Sequence, residues 1–310
     1  MQQSIQPAAH TAETPIWRPD EQRIDESRLA AFMQEIGKKH AGRDFDSYDA
    51  LWRWSIENID SFWNGVWDFC DVIGDKGART IVHPEAMPGA QFFPDAQLNY
   101  AENLLRRQDE ASAIIYRDER GQTRRFSFAE LYEAVCHWQQ ALINAGIEKG
   151  DRVAGYLPNM PETVIAMLAT TSLGAIWSSA SPDFGAHAIL DRFGQIAPKL
   201  LITVDSYYYN GKHIDCRDKL AEIQSRLEGL KQTVIIPFAE DEPDIRTLSK
   251  TVLSRDFIAN TAHDDNNGLV HFERVAFNHP LCILYSSGTT GAPKCITHSH
   301  GGTLIQHLKE

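Results

Sequence analysis

Short apolar runs alternate with amphipathic stretches along most of the chain after residue 110. The apolar runs have the length of buried strands and lie at residues 113–116, 153–157, 175–179, 200–204, 233–236 and 281–285. The amphipathic stretches have helical periodicity and lie at residues 127–146, 159–174, 185–196 and 215–227. Alternation of this kind predicts crossover units, and therefore an α/β fold with a mostly parallel sheet flanked by helices.

Three segments depart from this alternation. Residues 1–24 are polar and contain three prolines, so we predict a loose arm. Residues 25–75 hold four of the seven tryptophans and are predicted to form short helices at 47–57 and 59–69. These rings suit either a binding surface or a clamp that fixes an N-terminal cap to a main domain, and we favour the clamp. Residues 238–275 are acidic and irregular, which predicts a surface excursion.

Two helix starts carry specific end signals. Ser127 and Glu130 have the spacing of a capping box, in which each side chain bonds the other residue's backbone N–H. Pro161 suits the first turn of the following helix, where its missing N–H costs nothing.

The composition argues against several classes of protein. The chain has 310 residues and a formal net charge of −12, whereas a nucleic-acid partner or a polybasic membrane anchor requires a basic face. No run approaches the roughly 18 apolar residues of a membrane span, and residues 1–17 lack the apolar core of a signal peptide. The five cysteines show no CxxC spacing, so we predict reduced thiols in a cytoplasmic protein and no metal site.

The stretch that points to chemistry follows the apolar run at residues 281–285. It combines flexible glycines, short hydroxyls and a single cation, namely Ser286, Ser287, Gly288, Thr289, Thr290, Gly291 and Lys294. Glycines let backbone N–H groups approach an anion, hydroxyls add donors without bulk, and the lysine supplies a mobile positive charge. A polyphosphate needs these three features, so we predict a phosphate-binding loop.

Two alternatives compete with this interpretation. A flexible turn has a similar composition, but the fixed order of strand, loop and Pro-Lys pair is unexpected for one. A Walker A loop has four residues between its first glycine and a Gly-Lys-Ser/Thr sequence. Here two residues separate Gly288 from Gly291, Pro293 precedes Lys294, and Cys295 follows it. The sequence therefore predicts a phosphate loop of a different kind.

Residues 285–294, followed by residues 298–302, resemble the first core motif of the adenylate-forming superfamily, which contains acyl-CoA synthetases, luciferases and peptide-synthetase adenylation domains. The chain also resembles other segments of that superfamily at residues 149–153, 158–162 and 173–175. The aromatic cap before residues 99–103 resembles short-chain acyl-CoA synthetases and disfavours a peptide synthetase. The segments that look closest to acetoacetyl-CoA synthetases are residues 87–94, 177–184 and 295–300.

The resemblance implies the large N-terminal domain of that superfamily, with a cap at residues 25–98 and an AMP-binding domain at residues 99–310. It also implies a ligase in which acetoacetate, or its rivals acetate and propionate, attacks the α-phosphate of ATP and coenzyme A (CoA) then displaces AMP. The loop would hold the β- and γ-phosphates, and Lys294 would neutralise the departing pyrophosphate. Mg²⁺ would bridge the phosphates, although this segment offers no ligand for it.

A further resemblance concerns the CoA phosphates. Related acetyl-activating enzymes bind them with two arginines and a glycine placed after the strand equivalent to residues 200–204. This chain has Asn210, Gly211 and Lys212 there, with Lys212 at one arginine position and Tyr209 at the other. A solvated surface lysine is the alternative interpretation.

Three residues next to the loop invite a catalytic interpretation. His298 and His300 lie two apart at the end of a strand, as metal ligands on one strand face would, but no third ligand is evident. We therefore predict structural histidines. Cys295 is either a reactive thiol or a small packed residue, and we predict the packed residue.

The superfamily's other working parts are expected beyond Glu310. They are the adenine and magnesium motif, the ribose-binding aspartate, and a C-terminal lid with the catalytic lysine. The resemblance therefore implies an incomplete domain without a catalytic residue, which does not form an acyl-adenylate by itself. A non-catalytic nucleotide-binding module built on the same half-domain is the alternative.

Overall fold

The structure is a computed structural model that describes residues 16–40, 42, 44–259, 268–287 and 291–310. It divides into two units, one that ends at Phe69 and one that covers Cys70–Glu310. The helices in the described residues are α1 (Glu21–Asp25), α2 (Arg28–Lys39), α3 (Tyr48–Glu57), α4 (Ile59–Phe69), α5 (Tyr100–Leu104), α6 (Phe128–Asn144), α7 (Pro161–Ser172), α8 (Ala186–Ile196), α9 (Arg217–Arg226), α10 (Ser254–Ala259) and α11 (His300–Lys309). The strands there are β1 (Gly74–Asp75), β2 (Ile81–Val82), β3 (Gln91–Phe92), β4 (Gln97–Leu98), β5 (Ser112–Arg117), β6 (Thr123–Ser127), β7 (Arg152–Tyr156), β8 (Ile176–Ala180), β9 (Leu200–Val204), β10 (Ser206–Tyr209), β11 (Lys212–Asp215), β12 (Gln232–Ile236), β13 (Thr251–Leu253), β14 (Val275–Ala276), β15 (Pro280–Tyr285) and β16 (Cys295–Ser299).

Aromatic rings hold the helices of the first unit together. The Phe32 ring lies 5.9 Å from the Phe62 ring and 5.2 Å from the Phe69 ring. Trp54 packs edge-on against Phe45 at 5.3 Å. Such edge-to-face pairs stabilise a small helical unit beyond the burial of their area. The two helices predicted in this segment are confirmed as α3 and α4.

The predicted loose arm at residues 1–24 needs a correction at its end. Helix α1 begins at Glu21, because the Asp20 side chain accepts a hydrogen bond from the Arg23 N–H at 2.8 Å and caps the helix. Residues 1–15 lie outside the described residues.

A seven-stranded sheet forms the core of the second unit. Its strand order is β13-β12-β9-β7-β8-β15-β16. The first six strands are parallel, and β16 runs antiparallel to β15. Every residue of β9 is buried, as expected for a central strand of a parallel sheet. The predicted α/β fold with a mostly parallel sheet is therefore confirmed.

The predicted helix signals position α6 and α7. Glu130 N donates to Ser127 Oγ at 3.1 Å, and Ser127 N donates to a Glu130 carboxylate oxygen at 2.7 Å, which completes the capping box. Pro161 is the first residue of α7. Both helices bury apolar side chains, among them Val135 and Leu142 of α6 and Ile165 and Leu168 of α7.

The predicted surface excursion at residues 238–275 is wrong for part of its length. Strand β13 extends the central sheet by pairing in parallel with β12, and Leu253 at its end is buried. Helix α10 packs Phe257 against Trp138, with the ring centroids 6.0 Å apart. A strand of three residues and a helix of six are too short to show a hydrophobic period. The prediction of a surface segment therefore followed from the acidic composition alone. Residues 260–267 lie outside the described part of the chain.

Two findings concern the cysteines and the helices. The part of the chain that the structure describes includes all five cysteines and contains no disulfide bond. Among the described residues, no helix has both the length and the apolar character required to cross a membrane.

Candidate functional site

The predicted phosphate-binding loop connects β15 to β16. Tyr285 pairs with Cys295 at the end of the antiparallel ladder, so residues 286–294 form the loop of a hairpin. Ser286 N donates to the Lys294 carbonyl at 3.1 Å, and Lys294 N donates to Ser286 Oγ at 3.0 Å. These two bonds close the base of the loop. Three of the predicted residues lie outside the described part of the chain, namely Gly288, Thr289 and Thr290.

Most of the described residues of the loop are open to solvent, whereas Pro293 is buried. Ser287, Gly291 and Lys294 are exposed. Gly291 has a φ of 144°, which L side chains rarely adopt, while the space around its Cα is open. The backbone conformation rather than packing therefore requires glycine there, and a solute anion has access to the hydroxyl, the backbone and the ammonium group.

The loop lies at the carboxyl edge of the parallel strands. Ligands of open α/β sheets bind at this edge, because loops that follow neighbouring strands meet there. The loop at residues 181–185 follows the neighbouring strand β8 and leads into α8. Arg192 of α8 lies between the two loops, with its guanidinium 4.6 Å from the Phe184 ring and 5.9 Å from the Tyr285 ring. Sequence reasoning missed this second cation beside the loop.

A buried serine fixes the strand that leads into the loop. Ser178 Oγ of β8 donates to the Ile283 carbonyl at 2.8 Å and lies 3.0 Å from the Tyr285 hydroxyl. Burial raises the pKa of Tyr285 to about 12, so the phenol is neutral at pH 7 and keeps its proton for a hydrogen bond. The sequence signal for this contact was the pair Ser178 and Ser179 inside an otherwise apolar strand.

His300 is a structural residue, as predicted. It is the first residue of α11 rather than part of a strand, so it does not share a strand face with His298, which is exposed on β16. His300 Nδ1 accepts a hydrogen bond from Tyr100 N at 3.2 Å. Burial, and secondarily His279, lowers the pKa of His300 to about 3, so its ring is neutral. Because His300 is buried at the start of a helix and His298 is exposed on β16, the two rings do not share the strand face that the two-histidine interpretation requires. Within the described residues no cluster of three or more His, Cys, Asp or Glu is placed to hold a metal ion.

The small residues after His300 pack tightly at the start of α11. A Cβ added at Gly301 would lie 2.1 Å from the Phe277 ring, and Gly301 N donates to the Phe277 carbonyl at 2.9 Å. Gly302 N donates to Ser299 Oγ at 3.1 Å, which caps the helix. Close packing therefore accounts for the two glycines of this motif.

The prediction that Cys295 is packed is wrong. Cys295 is exposed, because β16 is the last strand of the sheet and four of its five residues face solvent. Its thiol lies 3.5 Å from the Gln195 Oε1 atom of α8.

The residues predicted to meet CoA form the tip of the β10–β11 hairpin. Asn210 and Gly211 have φ values of 49° and 72°, which suit a two-residue type I′ turn. Gly211 N donates to a Glu119 carboxylate oxygen at 3.2 Å, and Lys212 is exposed. The hairpin follows β9, which lies three strand spacings, or about 14 Å, from β15. The structure thus places the hairpin and the phosphate loop after separate strands of one sheet edge.

Comparison with known sequences decides the family. The sequence model of the AMP-binding enzyme family matches residues 101–309, which include the whole candidate loop. The chain belongs to this family of AMP-binding enzymes. A second family model, the acetyl-coenzyme A synthetase N-terminus, matches residues 48–104.

Relatives of this AMP-binding chain cover nearly all of it. An acetoacetyl-coenzyme A synthetase of Rhizobium meliloti (strain 1021) is 49% identical over 300 residues, which are 96% of this chain and 45% of that protein. An acetoacetyl-CoA synthetase of Macaca fascicularis is 40% identical over 95% of this chain and 44% of its own length. The solved acetoacetyl-CoA synthetase from Streptomyces lividans superposes with a TM-score of 0.86 at 42% identity, covering 96% of this chain and 45% of that chain. The chain has the adenylate-forming enzyme fold, as predicted, and spans less than half the length of these relatives.

Proposed function

We propose that this chain supplies the phosphate-binding part of an ATP-dependent ligase that joins acetoacetate to CoA. The observation that carries the proposal is the hairpin loop between β15 and β16, in which Ser287, Gly291 and Lys294 are exposed at the carboxyl edge of the sheet. The 49% identity to an acetoacetyl-coenzyme A synthetase supports acetoacetate as the acid.

The proposed reaction has two steps, each with an anionic leaving group. A carboxylate oxygen of acetoacetate bonds to the α-phosphorus of ATP, and the bond from that phosphorus to pyrophosphate breaks. The CoA thiol then loses its proton to solvent, its sulfur bonds to the acyl carbon of the adenylate, and the bond from that carbon to the AMP oxygen breaks. Donors that stabilise the departing charge lower both barriers. We assign the pyrophosphate contacts to Ser286, Ser287, Gly288, Thr289, Thr290, Gly291 and Lys294.

The proposal also includes two further ligands, CoA and Mg²⁺. The exposed ammonium of Lys212 beside a tight Asn-Gly turn suits a CoA phosphate, because it is a point charge that a solute anion can reach. Mg²⁺ prefers carboxylate oxygens, and the described residues of the loop provide hydroxyls and a lysine instead. We therefore assign CoA contacts to Asn210, Gly211 and Lys212 and no residue to Mg²⁺. The domain boundaries at residues 24 and 98 and the cytoplasmic location stay predictions.

A ligase assay on the full-length gene product tests the proposed function. ATP, Mg²⁺ and CoA are supplied with acetoacetate, acetate, propionate or butyrate, and AMP, pyrophosphate and the acyl-CoA are measured. We expect acetoacetate to give the highest kcat/KM. Stoichiometric AMP and pyrophosphate with a different preferred acid would reassign the substrate, and no AMP with any acid would support a non-catalytic nucleotide-binding module instead.

A further inference from the structure

Helix α8 contacts the phosphate loop where the loop ends. Gln195 Nε2 donates to the Pro293 carbonyl at 2.9 Å and to the Asp191 carbonyl at 2.6 Å. The other end of the same amide, Oε1, lies 3.5 Å from the Cys295 thiol. One side chain therefore touches the residues on either side of Lys294.

The same helix also contacts the residue where the loop begins. Arg192, one turn before Gln195, lies over the Tyr285 ring, and Phe193 packs against that ring with the centroids 6.4 Å apart. Residues three apart on a helix share a face. Arg192 and Gln195 thus present one face of α8 to both ends of the hairpin loop.

Gln195 contacts the Pro293–Lys294 peptide unit and not the Lys294 side chain, so it fixes the orientation of that peptide plane. The peptide unit between Pro293 and Lys294 offers one acceptor, the Pro293 carbonyl, and one donor, the Lys294 N–H. Gln195 bonds the acceptor and Ser286 Oγ accepts from the donor at 3.0 Å. A planar peptide unit that is held at both ends cannot rotate freely, and its orientation sets the direction of the Lys294 side chain.

Lys294 depends on this support, because its own side chain is exposed and forms no ion pair with the described residues. A four-carbon stem with an ammonium group samples many rotamers unless its backbone is fixed. Binding a phosphate then costs less entropy when the Cα–Cβ bond already points toward it.

We propose that Gln195 is a positioning residue for ATP, which orients the Pro293–Lys294 peptide so that the ammonium group of Lys294 meets the triphosphate. This inference rests on the proposed function of the loop. It assigns a role to a residue of α8 that lies outside the loop motif and about a hundred positions before it in the chain.

Kinetics of the full-length gene product test this role. The Gln195→Met variant keeps a similar volume without the amide, and Gln195→Glu replaces the donor by an acceptor that repels the Pro293 carbonyl. We expect each variant to raise KM for ATP roughly tenfold, the effect of one lost hydrogen bond, with KM for the acid unchanged. Gln140→Met is the matched control, because the Gln140 side chain lies on a helix and donates to Asn144 Oδ1 at an exposed position, and we expect its kinetics to be those of the wild type.

Alkylation of Cys295 gives a second readout that does not require catalysis. Iodoacetamide modification of the native protein is followed by intact mass, and Cys295 is identified by peptide mapping. We expect faster alkylation of Cys295 in Gln195→Met, since the thiol loses its hydrogen-bond partner and the loop base loosens, and an unchanged rate in Gln140→Met.

The two readouts separate failure of the inference from failure of the proposed function. An active wild-type enzyme with an unchanged KM for ATP in Gln195→Met would overturn the positioning role, whatever the alkylation rate. Faster alkylation in Gln195→Met of a protein that makes no AMP with any acid would show that the contact exists but that the loop does not serve this ligase, which overturns the proposed function first.

Discussion

Lys294 carries the charge on which the proposed reaction depends most directly. Charge-assisted hydrogen bonds to phosphate contribute more than neutral ones, so Lys294→Ala should raise KM for ATP about 10- to 100-fold in the full-length gene product. Lys231→Ala is the control, because Lys231 is exposed just before β12 and therefore lies at the opposite, amino edge of the sheet. Steady-state kinetics with varied ATP measure both variants, and an unchanged ATP dependence in Lys294→Ala would remove this lysine from the site.

His300 makes the stability of the chain sensitive to acid. Its pKa falls from the ordinary 6.5 to about 3 on burial, so between these values the unfolded chain binds a proton that the folded chain does not. The neutral ring's contribution is therefore complete above pH 6.5 and is lost as pH falls, at about 1.4 kcal/mol per pH unit. We expect His300→Gln to lower stability at neutral pH but to show a shallower loss between about pH 6 and about pH 4.

Urea unfolding followed by tryptophan fluorescence measures this slope for both proteins. His298→Gln is the control, since that ring is exposed on β16 and its replacement should leave the slope as it is in the wild type. Parallel pH profiles for wild type and His300→Gln would contradict the burial of a neutral ring.

Single residues differ in how far the sequence predicts them. The loop residues were predicted because glycines, hydroxyls and a lysine stand together in the chain, and their order is itself the signal. Gln195 and Arg192 lie about a hundred positions away on a helix whose pattern reports only its apolar face. No local spacing marks which polar residue of a helix will meet a distant loop, so that contact requires the structure.

At the scale of elements, Asn99 joins three segments that are distant in sequence. Its amide nitrogen lies within hydrogen-bond distance of the carbonyls of Thr171, Ser172 and Glu273 at 2.8–3.0 Å. Its side-chain oxygen accepts from Ala101 N at 2.9 Å and caps α5. One buried amide thus ties the start of α5 to the end of α7 and to the residue that precedes β14 by two positions.

Replacing this amide by a carboxylate should destabilise the second unit strongly. In Asn99→Asp the same shape points an anion at three carbonyl oxygens, and an unpaired buried charge costs about 3–5 kcal/mol. Asn159→Asp at an exposed position before α7 should change the free energy of unfolding by less than about 0.5 kcal/mol. Chemical denaturation of both variants at neutral pH provides the comparison, and a stability of Asn99→Asp equal to that of Asn159→Asp would contradict the role of this amide.

Elements were predictable where they are long and periodic. Strand β9 and helices α6 to α8 lie within one or two residues of their predicted positions, since apolar runs and capping signals fix them. Strand β13 and helix α10 were missed inside an acidic segment, because a few buried residues such as Leu253 and Phe257 hold them in place. Tertiary contacts, which no local pattern encodes, decide such short elements.

At the scale of the whole molecule, burial divides the five cysteines sharply. Cys136, Cys216 and Cys282 are buried, Cys70 is half-buried, and Cys295 is exposed. Burial raises the pKa of Cys216 to about 11 and also raises that of Cys282, which keeps both as unreactive thiols at pH 8.

Titration with a chromogenic disulfide should therefore detect one fast thiol in the native chain and all five after unfolding. We expect Cys295→Ser to abolish the fast phase, while Cys216→Ser leaves it unchanged. Stopped-flow absorbance resolves the phases, and two or more fast thiols in the native wild type would be incompatible with this distribution of burial.

The family of the whole chain was predictable because its motifs are contiguous stretches of sequence. The acid of the proposed ligase is a different matter, since an acid pocket is assembled from side chains that meet only in space. The chain accounts for 45% of the Rhizobium meliloti relative, and its candidate loop bears on the proposed ATP site rather than on the acid. Substrate choice therefore belongs to the ligase assay.

The position of β16 has a consequence for handling the protein. Among the described strands β16 pairs with β15 alone, and Leu284 and Ile296 are exposed on that hairpin. A strand with one unpaired side is a template on which another polypeptide can continue the ladder, and apolar side chains next to it favour the addition. Self-association that grows with protein concentration should therefore begin at β16, beside the loop proposed to bind ATP. Adding nucleotide should consequently change the degree of self-association.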